Sequence, residues 1–543
     1  MQFHLHSVRG IAFFRIPRYP ARAMPEGGER HRTRLWLAAI VVAGLAIRLP
    51  GLDAPLLEGA AGKQTHTAMV ARNLYRGRGT WQRPMVDDVG PPGYFVKELP
   101  LLPALAALVY GLTGGPHDPI GRLIGIAAWL LATPAVVALV ARDRGSREGL
   151  LAGAWFVLAP LGIAYSRSFM SDPAMIAASL AALAAAFRWR ARPTALRAAT
   201  AGAWLALALL LKPHAAFWLA PALAVAALGR DAATASERPG AGSLAGLGLC
   251  LTIATGIAGA WYAHAARVHE AFPVPGATVP QGWIDPRLWL EPALYGRIAA
   301  QLATMVWTPA GIALTVIALW RPRPPFGLAE RALLAWGAGA VVQSIALGTR
   351  MFDDAARGTE YYQLALVPVA CILVARGAAR FADAAERQWH GGGAWALGAV
   401  IAALALGAAS AVRPALATPA RYASLLDDCA EVRARTPPDA RLLVVADRAG
   451  TVLYYCDRRG VVVTPASSLT RATAVTRASA APETVARALG DATHVYLPFP
   501  DIVPRELADA LAHDWERIPT RSGTELYARP GTATHPGKVG PGT

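Results

Sequence analysis

Apolar and polar positions alternate along this chain on two scales, and the change between them divides it. From residue 34 to 413, apolar runs recur at 34–50, 99–114, 120–141, 148–165, 172–188, 196–212, 213–228, 242–264, 303–320, 331–348, 361–378 and 394–413. A helix needs about 20 largely apolar residues to cross a bilayer, so most of these runs predict membrane spans. Many are rich in Ala, Gly and Leu, which lets helices approach closely. After Arg413 the period shortens. ARLLVVAD, TVLYYC, GVVVTP, THVYLP and GTELYARP read as short strands, and APETVARALGDA and PRELADALAHDWE as amphipathic helices. The pattern predicts an α-helical polytopic membrane protein of about 11 to 13 spans with a small C-terminal α/β domain. In residue terms this is an N-terminal tail at 1–33, a membrane domain at 34–413, an α/β domain at 414–530 and a disordered tail at 531–543.

Arginines orient the spans. The clusters around Arg142, Arg144 and Arg147, around Arg188, Arg190, Arg192 and Arg197, at Arg230 and Arg238, at Arg321, Arg323 and Arg331, and at Arg376, Arg380 and Arg387 read as cytoplasmic. Segments 51–98, 166–172, the Lys212 turn, 265–302 and 349–360 then face outward, with everything after residue 414. Three apolar runs separate the first outer loop from Asp172, where same-side loops require an even number. The shortest, LPLLPALAALVYGLTG at 99–114, is followed by Gly115, Pro116 and His117 with no basic flank and is expected to be re-entrant or interfacial.

Composition agrees with this division. Charged residues make up 16% of the chain, against about 25% in soluble domains. The net charge of +17 resides in short Arg clusters between apolar runs rather than on one basic face, which favours membrane topology over nucleic-acid binding. Cys250 and Cys371 fall in apolar runs and read as packing residues. Cys429 and Cys456 fall in the exported region, where a disulfide and two buried thiols are both open. The first 23 residues match neither a cleavable signal nor a folded element, Met24 is an alternative start, and the first span is expected to act as an uncleaved anchor.

Candidate chemistry concentrates in the first outer loop, which carries Asp53, Glu58, Lys63, His66, Asp87, Asp88, Lys97 and Glu98. So many ionisable groups beside a membrane are expensive unless used. Lys63 to Tyr75 has helical spacing and is expected to lie in the interface plane, while Gly77 to Gly93 is loop. Asp172 and Lys212, each at the end of an apolar run, add a carboxylate and a cation, and Arg167 and Arg350 are further cations. Asp172 precedes Pro173 and also suits a helix N-cap. His66, His214 and His264 lie near one level, so a divalent metal ion is a candidate cofactor, although no recognised ligand spacing is present. Tyr361 and Tyr362 are either belt aromatics or the lining of a lipid groove.

Several stretches resemble one family. GKQTHTAMVARNLYRG resembles the form G-W-R-Q-x-D-T-A-x-x-A-R-N, and VDDVGPPGYFVKELPLLPAL the block G-Y-x-x-x-E-F-P-L. AYSRSFMSDPAM resembles S-R-x-F-M-P-D, LLLKPHAAFWLAP resembles L-L-K-P, and EYYQLALVP resembles E-Y-Y-x-L-P-L-x-P. In this order, from about residue 47 to 370, they resemble the membrane glycosyltransferases of the protein O-mannosyltransferase and lipid A aminoarabinose transferase type, in glycosyltransferase family 39. The resemblance implies a GT-C fold in the bacterial plasma membrane, with an outward catalytic cavity. It also implies a polyprenyl-phosphate-linked sugar donor, transfer with inversion to a hydroxyl of a lipid, glycan or protein, and contact with membrane lipids. Carried over, Glu98 and Asp172 are catalytic candidates, with Lys97, Arg167 and Lys212 at the donor phosphate. One departure matters. His66 stands where relatives have the first-loop catalytic Asp, and Lys63 and Gln64 stand where some carry an Asp-Glu pair, so the base is Glu58, Glu98 or His66. A transporter or flippase of lipid-linked glycans would share the spans and the cavity, but the internal repeats typical of transporters are not evident. A non-catalytic scaffold is a third reading.

Overall fold

The computed structural model describes residues 27–230, 241–273, 284–320, 325–348, 360–463, 489–520 and 523–532. Met24, Arg350 and the tail beyond residue 532 lie outside them. The membrane domain runs α1 (Gly27–Ala46), α2 (Ala61–Tyr75), α3 (Leu101–Thr113), α4 (Asp118–Arg144), α5 (Ser146–Leu158), α6 (Pro160–Ser166), α7 (Asp172–Ala191) and α8 (Ala195–Leu211). It continues through α9 (Ala216–Leu228), α10 (Ala241–Ala271), α11 (Pro292–Gln301), α12 (Thr308–Leu319), α13 (Leu328–Ala346), α14 (Val367–Gln388) and α15 (Gly392–Ala415). Among the described residues six helical stretches are long and apolar enough to cross a membrane, within α4, α7, α10, α15, Pro292–Leu319 and Glu360–Gln388. The bent pair α5 and α6 makes a seventh. Their 55° break falls at Pro160, which supplies no amide to the ladder and disfavours a helical residue before it.

The run at 99–114 becomes α3, whose 13 residues reach about 20 Å, too short for a hydrocarbon core of about 30 Å. It packs on α2 and α4 and turns at Gly114, which takes a left-handed φ of 82°. Only α4 and the α5–α6 pair then lie between the first loop and Asp172. The two segments meet: the backbone N–H of Phe169 donates to Gln64 Oε1 at 3.0 Å.

A buried guanidinium pins that loop. Arg122, 1% exposed near the start of α4, donates to the carbonyls of Leu52, Ala54 and Pro55 and to Glu58 Oε1 at 2.5 Å. At the far end of α4, Arg144 donates to both carboxylate oxygens of Glu330, at 2.8 and 2.6 Å. Arg190 and Arg380 cap the last carbonyls of α9 and α12 there, where cations complement the helix dipole. The arginines that suggested topology also end helices.

After α15 come α16 (Leu425–Arg435), β1 (Arg441–Val445), α17 (Ala449–Cys456), β2 (Arg459–Val463), β3 (His494–Leu497), α18 (Arg505–Asp514), β4 (Glu516–Ile518) and β5 (Glu525–Ala528). The sheet order is β2-β1-β3-β5-β4, parallel among the first three and antiparallel beyond. TVLYYC is helix, not strand. Consecutive parallel strands need a crossover, and an apolar run this short cannot be told from a buried helix by periodicity. A disulfide joins Cys429 of α16 to Cys456 of α17. Of APETVARALGDA only the end from residue 489 is described.

This domain sits on the first loop. The amide of Leu56 donates to the Tyr455 hydroxyl at 2.5 Å, the hydroxyls of Tyr454 and Tyr455 donate to Asp118 at 2.8 Å each, and Arg76 forks onto Asp457 at 2.7 and 2.9 Å. Val89 bridges Val461 on the β2 edge. The helix expected over Lys63 to Tyr75 forms as α2 and is covered by this domain: Gln64, Thr65, Met69, Val70, Arg72 and Asn73 are all buried. The sequence pattern showed one apolar face but not the α17 helix that covers the polar one.

Two outcomes are expected. Replacing Cys429 and Cys456 with Ser should destabilise the C-terminal domain by about 3 kcal/mol, read as a lower urea midpoint for protease resistance of that domain. Glu58→Gln leaves the Arg122 charge buried without its counter-ion and should cost about 3 to 5 kcal/mol of local stability, read by hydrogen exchange over residues 52–58.

Candidate active site

The site is built where chain breaks meet. Lys212 ends α8 in an extended conformation (φ −160°, ψ 118°) because Pro213 follows it and disfavours a helical predecessor. The break turns a long apolar stretch into two helices and aims a 4%-exposed ammonium inward. Asp172 opens α7, which packs along α8, and is fully buried. Ser171, not Asp172, holds the N-cap position, and the Asp172 carboxylate makes no cap bond. It faces Lys212 Nζ at 3.5 Å.

Glu98 arrives from the first loop. The amide of Leu99 donates to the Leu210 carbonyl at 2.9 Å, Trp261 of α10 donates to the Lys97 carbonyl at 2.9 Å, and His269 bonds to the Val96 carbonyl at 2.6 Å. This clamp sets Glu98 Oε1 2.9 Å from Lys212 Nζ and 3.0 Å from Lys63 Nζ. Burial alone would raise the Glu98 carboxyl, but the Lys212 and Lys63 ammonium groups outweigh it and hold it well below the usual carboxylate range. The short helix at Glu360–Leu366 closes the side: Tyr361 lies 5.7 Å under Lys212, and Tyr361 and Tyr362 stack at 4.4 Å. The Tyr165 hydroxyl donates to Glu360 Oε2 at 2.7 Å.

The predicted residues therefore separate into groups. Glu98, Asp172, Lys212 and Tyr361 converge, with Tyr362 beside them against His214. Glu58 does not join them, because Arg122 engages it in the loop anchor. Arg167 lies near that anchor, with Nη2 beside Gly51. His66 pairs through Nε2 with Asp88 Oδ2 and meets Phe95 edge-on at 5.2 Å, while Lys97 Nζ lies 4.5 Å over the other partner of this contact, the Phe95 ring. His264 is apart, bonded to the Gln82 carbonyl. Tyr165 and Glu360 were missed as site residues, although both stand inside stretches that carry the family resemblance.

Among the described residues, the donors at this site do not fit a divalent metal ion. Glu98 and Asp172 are already turned onto one ammonium, and among the described residues no three His, Cys, Asp or Glu side chains are grouped to hold an ion.

Residues 97–255, under a third of the chain, match the family described as dolichyl-phosphate-mannose-protein mannosyltransferase. No curated protein matches the chain in sequence. Among solved structures, ArnT from Cupriavidus metallidurans bound to undecaprenyl phosphate aligns with a TM-score of 0.60 at 15% identity, over 91% of this chain and 98% of that one. The oligosaccharyltransferase AglB from Archaeoglobus fulgidus, in complex with an inhibitory peptide and a dolichol-phosphate, aligns at 0.54 and 13% identity, over 93% and 75%. The arabinofuranosyltransferase AftD from Mycobacteria aligns at 0.51 and 13% identity, over 91% and 40%. The chain has the GT-C fold of these membrane glycosyltransferases and resembles the protein O-mannosyltransferase and ArnT type.

Proposed function

We infer that the protein is an integral-membrane glycosyltransferase that takes a sugar from a polyprenyl-phosphate donor and transfers it, with inversion, to a hydroxyl of a lipid, glycan or protein. The active site and the C-terminal domain then face the extracytoplasmic side of a bacterial plasma membrane. The observation that carries this reading is the pair of ammonium groups, Lys63 and Lys212, held by one carboxylate, Glu98, where chain breaks of several helices meet. The solved ArnT and AglB relatives, bound to undecaprenyl phosphate and a dolichol-phosphate, support the donor class.

The chemistry follows from charge. When the bond between the anomeric carbon and the phosphate oxygen breaks, negative charge builds on the departing polyprenyl phosphate. Preorganised cations at that point stabilise the transition state more than the ground state. Lys212 and Lys63 serve there, and Glu98 and Asp172 hold their positions. Arg167, beside the loop anchor, and Lys97, over Phe95, lie outside this core. Tyr361 and Tyr362 offer flat apolar surface for the first isoprene units.

Purified protein incubated with a panel of radiolabelled polyprenyl-phosphate sugars and membrane extract should release polyprenyl phosphate with at least one donor; release with none overturns the reading in favour of a carrier or scaffold. Lys212→Met should lower transfer by about 100-fold or more and also lower the melting temperature, because Asp172 is then buried alone. Adding Asp172→Asn to it should restore the melting temperature but not the transfer.

A further inference from the structure

Transfer to a hydroxyl needs a proton acceptor, and the carboxylates near the site are poorly placed for the task. Glu98 is held ionised and engaged by two ammonium groups, Glu58 is locked by Arg122, and Asp87 accepts from Arg72 at 2.8 Å and from Asn73 at 3.1 Å. Asp172 has no exposed surface and stands behind Lys212.

His66 differs from all of them. It lies three residues after Lys63 on α2, so the two share a helix face, and its side chain keeps 28% of its surface exposed. Its Nε2 faces Asp88, which leaves Nδ1 as the ring atom with a lone pair to offer. Asp88 is 9% exposed, and its second oxygen, Oδ1, is buried without a hydrogen bond. The C-terminal domain shapes the pair from above: a Cβ at Gly450 of α17 would lie 2.5 Å from Asp88 Oδ2 and 3.6 Å from the His66 ring. Among the described residues, the charged groups that face the imidazole include Asp88 from the loop, Lys97 across the Phe95 ring and Lys63 one turn earlier on α2, while α17 brings Gly450 against it.

We propose that His66 is the base of this transferase and Asp88 its positioning residue, an assignment that depends on the transferase reading above. In the step, the acceptor O–H passes its proton to Nδ1 and the oxygen bonds to the anomeric carbon. The bond to the phosphate oxygen breaks, its electron pair leaves with polyprenyl phosphate, and the imidazolium gives its proton to water. Asp88 holds the Nε2 proton throughout, fixing the tautomer and stabilising the transient cation. The arrangement is a His–carboxylate pair built from one helix and one loop, closed by a distant domain.

The test uses full-length protein in lipid discs with a donor that the wild type consumes, reading polyprenyl phosphate release against pH. His66→Gln should lose about 100-fold or more of kcat with the KM for donor unchanged. His66→Asp should recover part of the rate, with the acid limb of its profile about 2 units lower, as a carboxylate titrates below an imidazole. Asp88→Asn should lower kcat and displace the acid limb, and Asp88→Glu should restore both in part. Gly450→Ala, which crowds Asp88 from the C-terminal domain, should follow Asp88→Asn. His66→Gln within threefold of wild type overturns the base, as does an unmoved acid limb in His66→Asp. An Asp88→Asn rate loss with an unchanged profile overturns the positioning role alone. A wild type that consumes no donor removes the transferase reading and this assignment with it.

Discussion

The arrangement depends on one ammonium group shared by two carboxylates. Asp172 is fully buried and neither of its oxygens has a hydrogen bond, so its charge is compensated by Lys212 at 3.5 Å. An isolated ion at that depth costs several kcal/mol. Lys212 can reach it only because the helix stops there, and the helix stops because proline follows. Glu98 then completes the charge balance from the loop side. Remove the break and α8 would carry the lysine past the site on its lateral surface, leaving Asp172 unmatched and Glu98 with Lys63 alone.

This geometry separates two kinds of work within one helical turn of α2. Lys63 turns to Glu98 and the lysine group suited to phosphate, while His66 turns to Asp88 and a pair suited to protons. The separation is electrostatically useful. A base placed among the ammonium groups would be engaged by them, as Glu98 is, and a phosphate placed against Asp88 would be repelled.

The helical membrane fold was legible because apolar runs are strong, local signals. Among the described residues, however, six helical stretches, or seven with the bent pair, are long and apolar enough to span where 11 to 13 were expected, since several runs break into shorter helices. Asp172 and Lys212 were legible as well, since a charge at the edge of an apolar run stands out. The failures share a cause: the deciding partner lay far away in sequence. Glu58 looked like a free loop carboxylate until Arg122, 64 residues later, engaged it. The cover that α17 lays over α2 comes from more than 370 residues away. TVLYYC looked like a strand because its neighbours are strands, and only the parallel pairing of β1 with β2 requires a helix between them. Asp88 was one acid among several, with no local mark of its contact with His66.

The contact between Leu56 and Tyr455 spans 399 residues. A ribosome adding roughly 5 to 20 residues per second makes the first of these about 20 to 80 seconds before the second. Throughout that interval the acidic and basic side chains of the early segment wait without their roof, and His66 and Asp88 lack the glycine that packs against them. Completion of this site is thereby tied to the synthesis of α17: a nascent chain that stops short of residue 449 lacks the helix that covers α2.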